Sequence, residues 1–291
     1  MSIQKILVTG ANGQLGWELS QLAASYPKYQ FVMVDRSVLD LSKPATIHSV
    51  LDTITPDVII NPAAYTAVDK AESEKELAHT INAEAVAALA GIAKKRNIPF
   101  ISFSTDYVFN GNAERPYLTD TKIEPVNYYG QTKADGEQMA IAANDKTIII
   151  RTSWVFSSHG NNFVKTMMRL MKDKDALNIV GDQRGRPTYA KDLALATIQI
   201  LIALNAGKVI KGIYHYANAG ETTWFKFAEK IKELAGLECN LTAITSDQFP
   251  TPAKRPSYSV LDTHKIEKDL GLHIPQWEMA LKQCIHQLTH S

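Results

Sequence analysis

The chain has 291 residues, 45% hydrophobic and 21% charged, and its 31 basic and 30 acidic side chains leave a net charge of +1. This is ordinary globular composition, with ample length for one large domain or two smaller ones. Such a balanced charge excludes the electrostatic footprint typical of proteins that bind nucleic acid or acidic membranes, so neither partner is expected.

Two features predict the compartment. The beginning, "MSIQKILVTG", has an apolar run too short for the core of a signal peptide, and the most apolar later stretch, 193–204, is far shorter than the ~20 residues that span a bilayer. The two cysteines, Cys239 and Cys284, are typical of inert thiols in a reducing compartment. We therefore expect a cytoplasmic protein.

The first predicted element is a buried strand, "KILVTG", which runs into the glycine-rich turn "GANGQLG" and then into a helix. Gly10 permits a tight turn, Gly13 lets backbone N–H groups approach a pyrophosphate, and Gly16 allows close packing of the helix on the strand. The helix N-terminus then faces the anion. This order predicts a dinucleotide site.

A second strand, "FVMVD", ends in Asp35, whose carboxylate can accept hydrogen bonds from the adenosine ribose. The neighbouring Arg36 can instead pair with a 2′-phosphate. The sequence therefore predicts a nicotinamide cofactor and leaves NADH and NADPH both open.

The next elements predict the fold class. A strand over 57–61 leads through a turn with the small residues Ala63 and Ala64 into a helix over about 72–96, and a strand over 99–109 follows. Alternating strands and helices predict an α/β protein with a doubly wound parallel sheet. Its ligand crevice should lie at the carboxyl ends of the strands. Three segments should meet there: Asp35, Ala63–Thr66 and Ser104–Asp106.

The segment "YYGQTKADGEQMAIAA", residues 128–143, predicts a helix that places Tyr129 and Lys133 on one face. An ammonium ~4 Å from a phenol favours the phenolate by ~4 kcal/mol at an effective dielectric of ~20. That is about three pKa units, enough to bring the phenol towards neutrality. We therefore expect Tyr129 to act as an acid that Lys133 tunes, with the Thr105 hydroxyl aligning the substrate oxygen.

These motifs resemble the extended short-chain dehydrogenase/reductases. The segments "GANGQLGWEL", "NPAAYTAVDKAESE", "STDYVF", "YGQTKADGE", "RTSWVF" and "GRPTY" are more specifically similar to the dTDP-4-dehydrorhamnose reductase family, over nearly the whole chain. That resemblance implies reduction of the 4-keto group of a dTDP-6-deoxy-hexulose to dTDP-L-rhamnose. It also implies hydride transfer from NADPH or NADH, a dTDP-sugar as the partner, and Tyr129 as the proton donor.

The resemblance further implies roles for individual positions. The implied catalytic residues are Tyr129, Lys133 and Thr105. The residues implied to contact the sugar are Thr105, Asp106 and Trp154. Together with the contacts that the glycine turn, Arg36 and Ala63 predict on their own, the full set of expected cofactor contacts is Gly10, Gly13, Gln14, Leu15, Gly16, Asp35, Arg36, Asp40, Leu41, Ala63, Ala64, Tyr65, Thr66, Phe103, Tyr129 and Lys133.

Two departures from related families narrow this expectation. A sugar-nucleotide 4,6-dehydratase would carry Asp-Glu after the threonine, whereas Asp106 is followed here by Tyr107. Some members of the reductase family bind magnesium through C-terminal glutamates at a dimer interface. The last segment here has only Glu278, so no metal site is predicted and a magnesium requirement is doubtful.

The last part of the chain should form a smaller lobe over the sugar nucleotide. We expect a dinucleotide-binding domain over 1–156 and a discontinuous substrate lobe mainly over 157–291, with segments around 189–217 rejoining the first sheet. Three arginines are candidates for the substrate diphosphate because guanidinium groups suit such anions: Arg184, Arg186 and Arg255. The methionines of 161–175 are expected to pack rather than bind.

Two alternatives remain open at this level. The fold and reaction can serve a different 4-keto sugar nucleotide, since the pocket is only partly defined by motifs. A non-catalytic NADP-binding regulatory subunit of the same fold would also keep these residues. The sequence leaves both a monomer and a homodimer open.

Overall fold

Short apolar runs form a parallel sheet at the centre of the protein. The computed structural model describes residues 3–290. Within them the strands are β1 (Lys5–Val8), β2 (Gln30–Met33), β3 (Val58–Asn61), β4 (Phe100–Thr105), β5 (Thr147–Thr152), β6 (Val155–Phe156), β7 (Ala176–Val180), β8 (Arg184–Gly185), β9 (Thr188–Tyr189), β10 (Gly212–His215), β11 (Thr222–Thr223) and β12 (Asn240–Ile244).

Six of these strands form the central sheet in the order β10-β5-β4-β3-β1-β2. Every neighbouring pair is parallel; for example, Ile6 of β1 lies beside Val58 of β3 and Phe31 of β2. Parallel neighbours require crossover connections, which here contain helices. The predicted α/β class with a doubly wound parallel sheet is confirmed.

The α-helices cover both faces of this sheet and build the second lobe. They are α1 (Gln14–Ala23), α2 (Ile47–Ile54), α3 (Val68–Ala71), α4 (Lys75–His79), α5 (Ala85–Lys95), α6 (Tyr128–Ala143), α7 (Phe163–Asp173), α8 (Ala190–Asn205), α9 (Trp224–Ala235), α10 (His264–Leu270) and α11 (Trp277–His290). A 3₁₀ turn, Asp106–Val108, follows β4 directly.

Alternate residues of each strand enter two cores on opposite faces of the sheet. One face packs against α1 and α8 around Ile6, Ile60 and Ile150. The other packs against α2 and α5 around Leu7 and Ile59. Because both faces are covered, the strands consist mostly of apolar residues, and polar residues such as Ser102 and Arg151 are buried as well.

A third core defines a smaller lobe that is built from residues after β5. Phe227 of α9 is fully buried there, among α7, α11 and the short strands β6 and β9. Met167, Met168 and Met171 of α7 belong to this core, so their predicted packing role is confirmed. The chain returns from the lobe to the large sheet, because α8 packs on α1 and β10 pairs with β5.

The prediction of one continuous helix over about 72–96 is wrong in detail. The helical segment starts earlier, at Val68, is interrupted at 72–74, and contains a π-helical turn, Thr80–Glu84, before α5. The π turn lies where distant segments pack on the helix: the Asn82 side chain bonds Tyr65 and Thr132, and Gly136 of α6 lies against the Asn82 carbonyl oxygen. The strand predicted over 99–109 stops at Thr105.

In the part of the chain that the structure describes, every helix is too short or too polar to cross a membrane.

Candidate active site

The glycine turn after β1 has a backbone that side chains would not tolerate. Gly10 has φ +60°, and a Cβ there would lie 2.9 Å from the Cα of Ala63. A Cβ at Gly16 would overlap the Gly10 carbonyl oxygen, well inside the 3.0 Å that real Cβ atoms respect. Gly13 is exposed, and a Cβ there would meet only the same oxygen, at 3.3 Å. The turn therefore keeps its backbone open to a close ligand.

Helix α1 begins at Gln14 and has Gly13 as its N-cap, which has no side chain to cap the first amides. Uncapped amides at a helix N-terminus suit a pyrophosphate. The side chain of Gln14 is occupied elsewhere, donating to Val155 O (3.5 Å) and accepting from Asn162 Nδ2 (3.0 Å), while Leu15 is buried. The predicted contacts of both residues with a cofactor therefore rest on their backbone amides.

The end of β2 presents a fixed carboxylate. Asp35 accepts from Asn12 Nδ2 at 3.1 Å and from the Ser37 hydroxyl and amide at 2.6 and 2.9 Å. These bonds, chiefly those from Ser37, hold the pKa of Asp35 below its usual value. Arg36 is largely exposed, with its Nε 3.3 Å from Asp40 Oδ1. Asp35 and Arg36 thus lie side by side at the end of β2, and their contacts with a ribose and a 2′-phosphate stay predictions.

The neighbouring turn at 40–42 is also locally ordered. Asp40 accepts from the Ser42 amide (3.0 Å) and hydroxyl (2.7 Å), and Leu41 is buried in the core against α2 and α5. Their contact with adenine stays a prediction.

The turn after β3 is fixed by a residue that the motifs did not single out. Asn82 Oδ1 accepts from the Tyr65 amide at 2.9 Å, and its Nδ2 donates to Tyr65 O (3.0 Å) and to Thr132 Oγ1 of α6 (3.1 Å). Asn82 therefore ties the predicted cofactor channel, Ala63–Thr66, to the helix of Tyr129. An amide within an alanine-rich helix is the signal that could have found it.

Helix α6 spans Tyr128–Ala143, as the sequence predicts, and buries both proposed reacting groups. Tyr129 is 9% exposed and Lys133 is 5% exposed. Asn127 caps the helix by accepting from the Gly130 amide at 2.8 Å. At Gly130 the helix lies directly on the Tyr107 carbonyl oxygen, with no room for a Cβ. Tyr129 is consequently held beside the turn that follows β4.

Thr105 lies at the carboxyl end of β4, where its hydroxyl is already engaged. Its Oγ1 donates to Asp106 Oδ1 at 2.9 Å and accepts from the Tyr107 amide at 3.1 Å. Burial raises the pKa of Asp106 to about 6, and hydrogen bonds from Ser259 and Thr105 oppose that rise. Asp106 Oδ2 makes no hydrogen bond of good geometry within residues 3–290. Asp106 is thus a buried hydrogen-bond partner of Thr105, and its contact with the sugar stays a prediction.

The protonation of the tyrosine differs from the expectation. Burial first, and then the charge of Asp106, raise the pKa of Tyr129, while a hydrogen bond with Thr105 lowers it. The Lys133 ammonium donates to Phe103 O at 2.7 Å, and burial lowers its pKa to about 8, against the opposing charge of Glu137. The lowering of the phenol pKa predicted from Lys133 is therefore wrong for this structure: desolvation dominates the shift of the Tyr129 pKa, and Lys133 is not among the groups that cause it.

The predicted substrate end of the site is aromatic. Trp154, at φ +49°, stacks on Trp224 with ring centroids 3.6 Å apart, and it packs against the backbone of Gly185. Sequence reasoning missed Trp224, because nothing in its segment distinguishes it from a core residue. Since Trp224 covers the Trp154 ring, contact of that ring with a sugar stays a prediction.

The three candidate arginines have different surroundings. Arg184 pairs with Glu221 at the surface, and Arg186 donates to Leu261 O at 3.0 Å. Arg255 pairs with Asp69 at 2.8 Å. Within residues 3–290, no group of three or more His, Cys, Asp or Glu side chains is arranged to hold a metal ion.

Residues 4–290 match the family described as RmlD substrate binding domain. A dTDP-4-dehydrorhamnose reductase from Aggregatibacter actinomycetemcomitans is 41% identical over 96% of this chain and 97% of that protein. The chain belongs to the dTDP-4-dehydrorhamnose reductase family.

Solved structures of dTDP-4-dehydrorhamnose reductases superpose on nearly the whole chain. The Clostridium acetobutylicum structure has 38% identity and a TM-score of 0.93, covering 98% of this chain and 100% of that one. The Bacillus anthracis structure, a complex with NADP, has 35% identity and a TM-score of 0.92, covering 99% of this chain and 100% of that one.

Proposed function

We propose that this protein is a dTDP-4-dehydrorhamnose reductase, which reduces the 4-keto group of dTDP-4-dehydro-6-deoxy-L-mannose with NADPH or NADH. One observation carries the proposal: Tyr129 and Lys133 are both buried on α6, beside Thr105, at the same sheet edge as the glycine turn. A carbonyl placed there would meet a proton donor next to a dinucleotide site.

A bound reduced nicotinamide supplies the hydride for the carbonyl carbon; the protein supplies positions and the proton. The phenol of Tyr129 donates its proton to the C4 oxygen. Because the pKa of Tyr129 is raised, the donor is fully protonated at neutral pH. Thr105 holds the substrate oxygen in reach of that phenol. Lys133 holds the cofactor ribose and carries the charge that balances the developing phenolate.

The nucleotide contacts proposed for this site follow the sheet edge. The amides of Gly13, Gln14 and Leu15 bind the pyrophosphate, and Asp35 binds the adenosine ribose. Arg36 is exposed and pairs with a 2′-phosphate when the cofactor is NADPH. The remaining proposed contacts line the adenine and nicotinamide ends: Asp40, Leu41, Ala63, Ala64, Tyr65, Thr66 and Phe103. Asp106 and Trp154 complete the sugar site.

Purified protein tests the reaction directly. NADPH or NADH should be oxidised only when the 4-keto-6-deoxy sugar nucleotide is added. Tyr129→Phe should lower kcat by about 100-fold or more and leave cofactor affinity nearly unchanged, because it removes only the proton donor. Tyr128→Phe is the matched control, since Tyr128 has no proposed role in proton transfer and should stay active.

The alternatives predict different results. Turnover with another keto sugar nucleotide, but not with this one, would assign the same chemistry to a different pathway. Tight cofactor binding without turnover of any keto sugar would favour a regulatory subunit. Full activity of Tyr129→Phe would remove the proton-donor assignment. The proposed setting is the cytoplasm, with a monomer or homodimer as the acting species.

A further inference from the structure

The first turn of α6 is held from outside by a segment far away in the sequence. Asn127, which caps the helix, donates through Nδ2 to Lys254 O at 2.8 Å. The same segment continues into Arg255, whose Nη2 lies 2.8 Å from Asp69 Oδ2, and Asp69 Oδ1 accepts from the Ala253 amide at 3.1 Å. Residues 253–255 thus join α6 to α3.

Arg255 also reaches the catalytic tyrosine through one aromatic ring. Its guanidinium lies 5.9 Å from the ring centroid of Tyr107, a cation–π arrangement. The Tyr107 ring in turn meets Tyr129 edge-on, with centroids 5.7 Å apart. Movement of Arg255 would therefore change what the Tyr129 ring packs against.

Asp69 lies on an element that contacts the same helix turn independently. Glu72, at the C-terminal end of α3, accepts from the Tyr128 amide at 2.8 Å. The side chains of Asp69 and Arg255 are 40% and 20% exposed, so either residue can be substituted without creating a cavity in a hydrophobic core. The pair matters because it links residues 253–255 to α3 next to the first turn of α6, and not because it is buried.

We propose that Asp69 and Arg255 are positioning residues that fix the first turn of α6, and with it the Tyr129 phenol, in the geometry for proton donation. This inference rests on the proposed function. It assigns Arg255 to Asp69 and Tyr107, instead of to the substrate diphosphate for which its charge also suits it. A displacement of about 1 Å at a reacting group can cost up to about 100-fold in rate.

The test compares Asp69→Ala, Arg255→Ala and the double variant with the wild type. If the pair positions Tyr129, each single variant loses about tenfold in kcat, the double variant is no worse than either single one, and KM for the sugar nucleotide stays within about twofold. Arg255→Lys should recover part of the loss because it keeps the charge. Lys254→Gln is the control, since only the backbone of Lys254 is used.

Other outcomes overturn the proposal. A raised KM in Arg255→Ala with Asp69→Ala unaffected would assign Arg255 to the substrate. Unchanged kcat in both variants would leave the pair without a positioning role.

A second measurement does not depend on turnover. Hydrogen exchange at the amides of 128–132 should be faster in both single variants than in the wild type and in Lys254→Gln. Faster exchange with an inactive wild type would refute the proposed function and keep the positioning role. Unchanged exchange would refute the positioning role.

Discussion

Gly130 and Tyr107 are in backbone contact: the space for a Cβ on Gly130 is taken by the carbonyl oxygen of Tyr107. This contact joins the first turn of the helix that carries Tyr129 to the turn that follows Thr105. Glycine here is a poor helix former that the packing requires.

Gly130→Ala should therefore separate the two segments. We expect a loss of about tenfold or more in kcat and about 1–3 kcal/mol in the free energy of unfolding, because backbone atoms must shift. Steady-state kinetics and denaturant unfolding measure both effects. Gly91→Ala in α5 is the control. A Cβ there meets nothing within 4 Å, so the free energy of unfolding of this variant should rise by about 0.5–1 kcal/mol. Equal effects at the two glycines would contradict the packing argument.

The glycine turn should respond unequally to alanine. A Cβ at Gly16 overlaps Gly10 O, whereas one at Gly13 stays 3.3 Å away and needs only a small adjustment. We expect Gly16→Ala to weaken NADPH binding by more than tenfold and Gly13→Ala to weaken it less, as measured by fluorescence titration. The opposite order would mean that ligand contact, not the shape of the turn, dominates.

Asp106→Asn should change the pH dependence of the reaction. The carboxylate raises the pKa of Tyr129, so a neutral amide lets that pKa fall. The alkaline limb of kcat, where the donor loses its proton, should then move to lower pH in the variant. On the acid side, any change of activity that follows the protonation of Asp106 itself, near its pKa of about 6, should be lost in the variant, while the phenol stays protonated there in both proteins. An unmoved alkaline limb would show that Asp106 does not influence the phenol.

Lys133→Met should change stability with a predictable sign. The folded pKa of Lys133 is about 8, below the ordinary 10.5, because burial disfavours the ammonium. Between these values the unfolded chain binds a proton that the folded protein does not, so the stability contribution of Lys133 rises with pH. In that pH range the free energy of unfolding of the wild type should rise relative to that of Lys133→Met by about 1.4 kcal/mol for each pH unit. Denaturant unfolding at pH 7, 8.5 and 10 measures the difference. A constant gap would contradict the depressed pKa.

The sequence predicts the sheet, the glycine turn and the α6 boundaries because each depends on local pattern. Apolar runs ending in glycine or aspartate, and a helix that starts after Asn127, need no knowledge of distant residues. The parallel pairing of the strands follows from their alternation with helices.

The features it misses depend on partners far along the chain. Asn82 is placed by Tyr65 and Thr132, and Arg255 by Asp69; neither partner is visible in its own segment. The direction in which the Tyr129 pKa shifts is likewise not visible in the segment, since desolvation is a property of the assembled site. A pairwise Coulomb estimate includes the ammonium but not the burial.

The return of the chain through α8 and β10 limits how the molecule can be divided. A fragment ending at residue 156 would leave β5 as a bare sheet edge and uncover Ile148 and Ile150, which α8 otherwise shields. Such an edge invites self-association. The part of the chain that forms the large sheet therefore cannot be isolated by a single truncation. A fragment that keeps the sheet intact must also contain residues 190–215, with a linker in place of the lobe segment between β5 and α8.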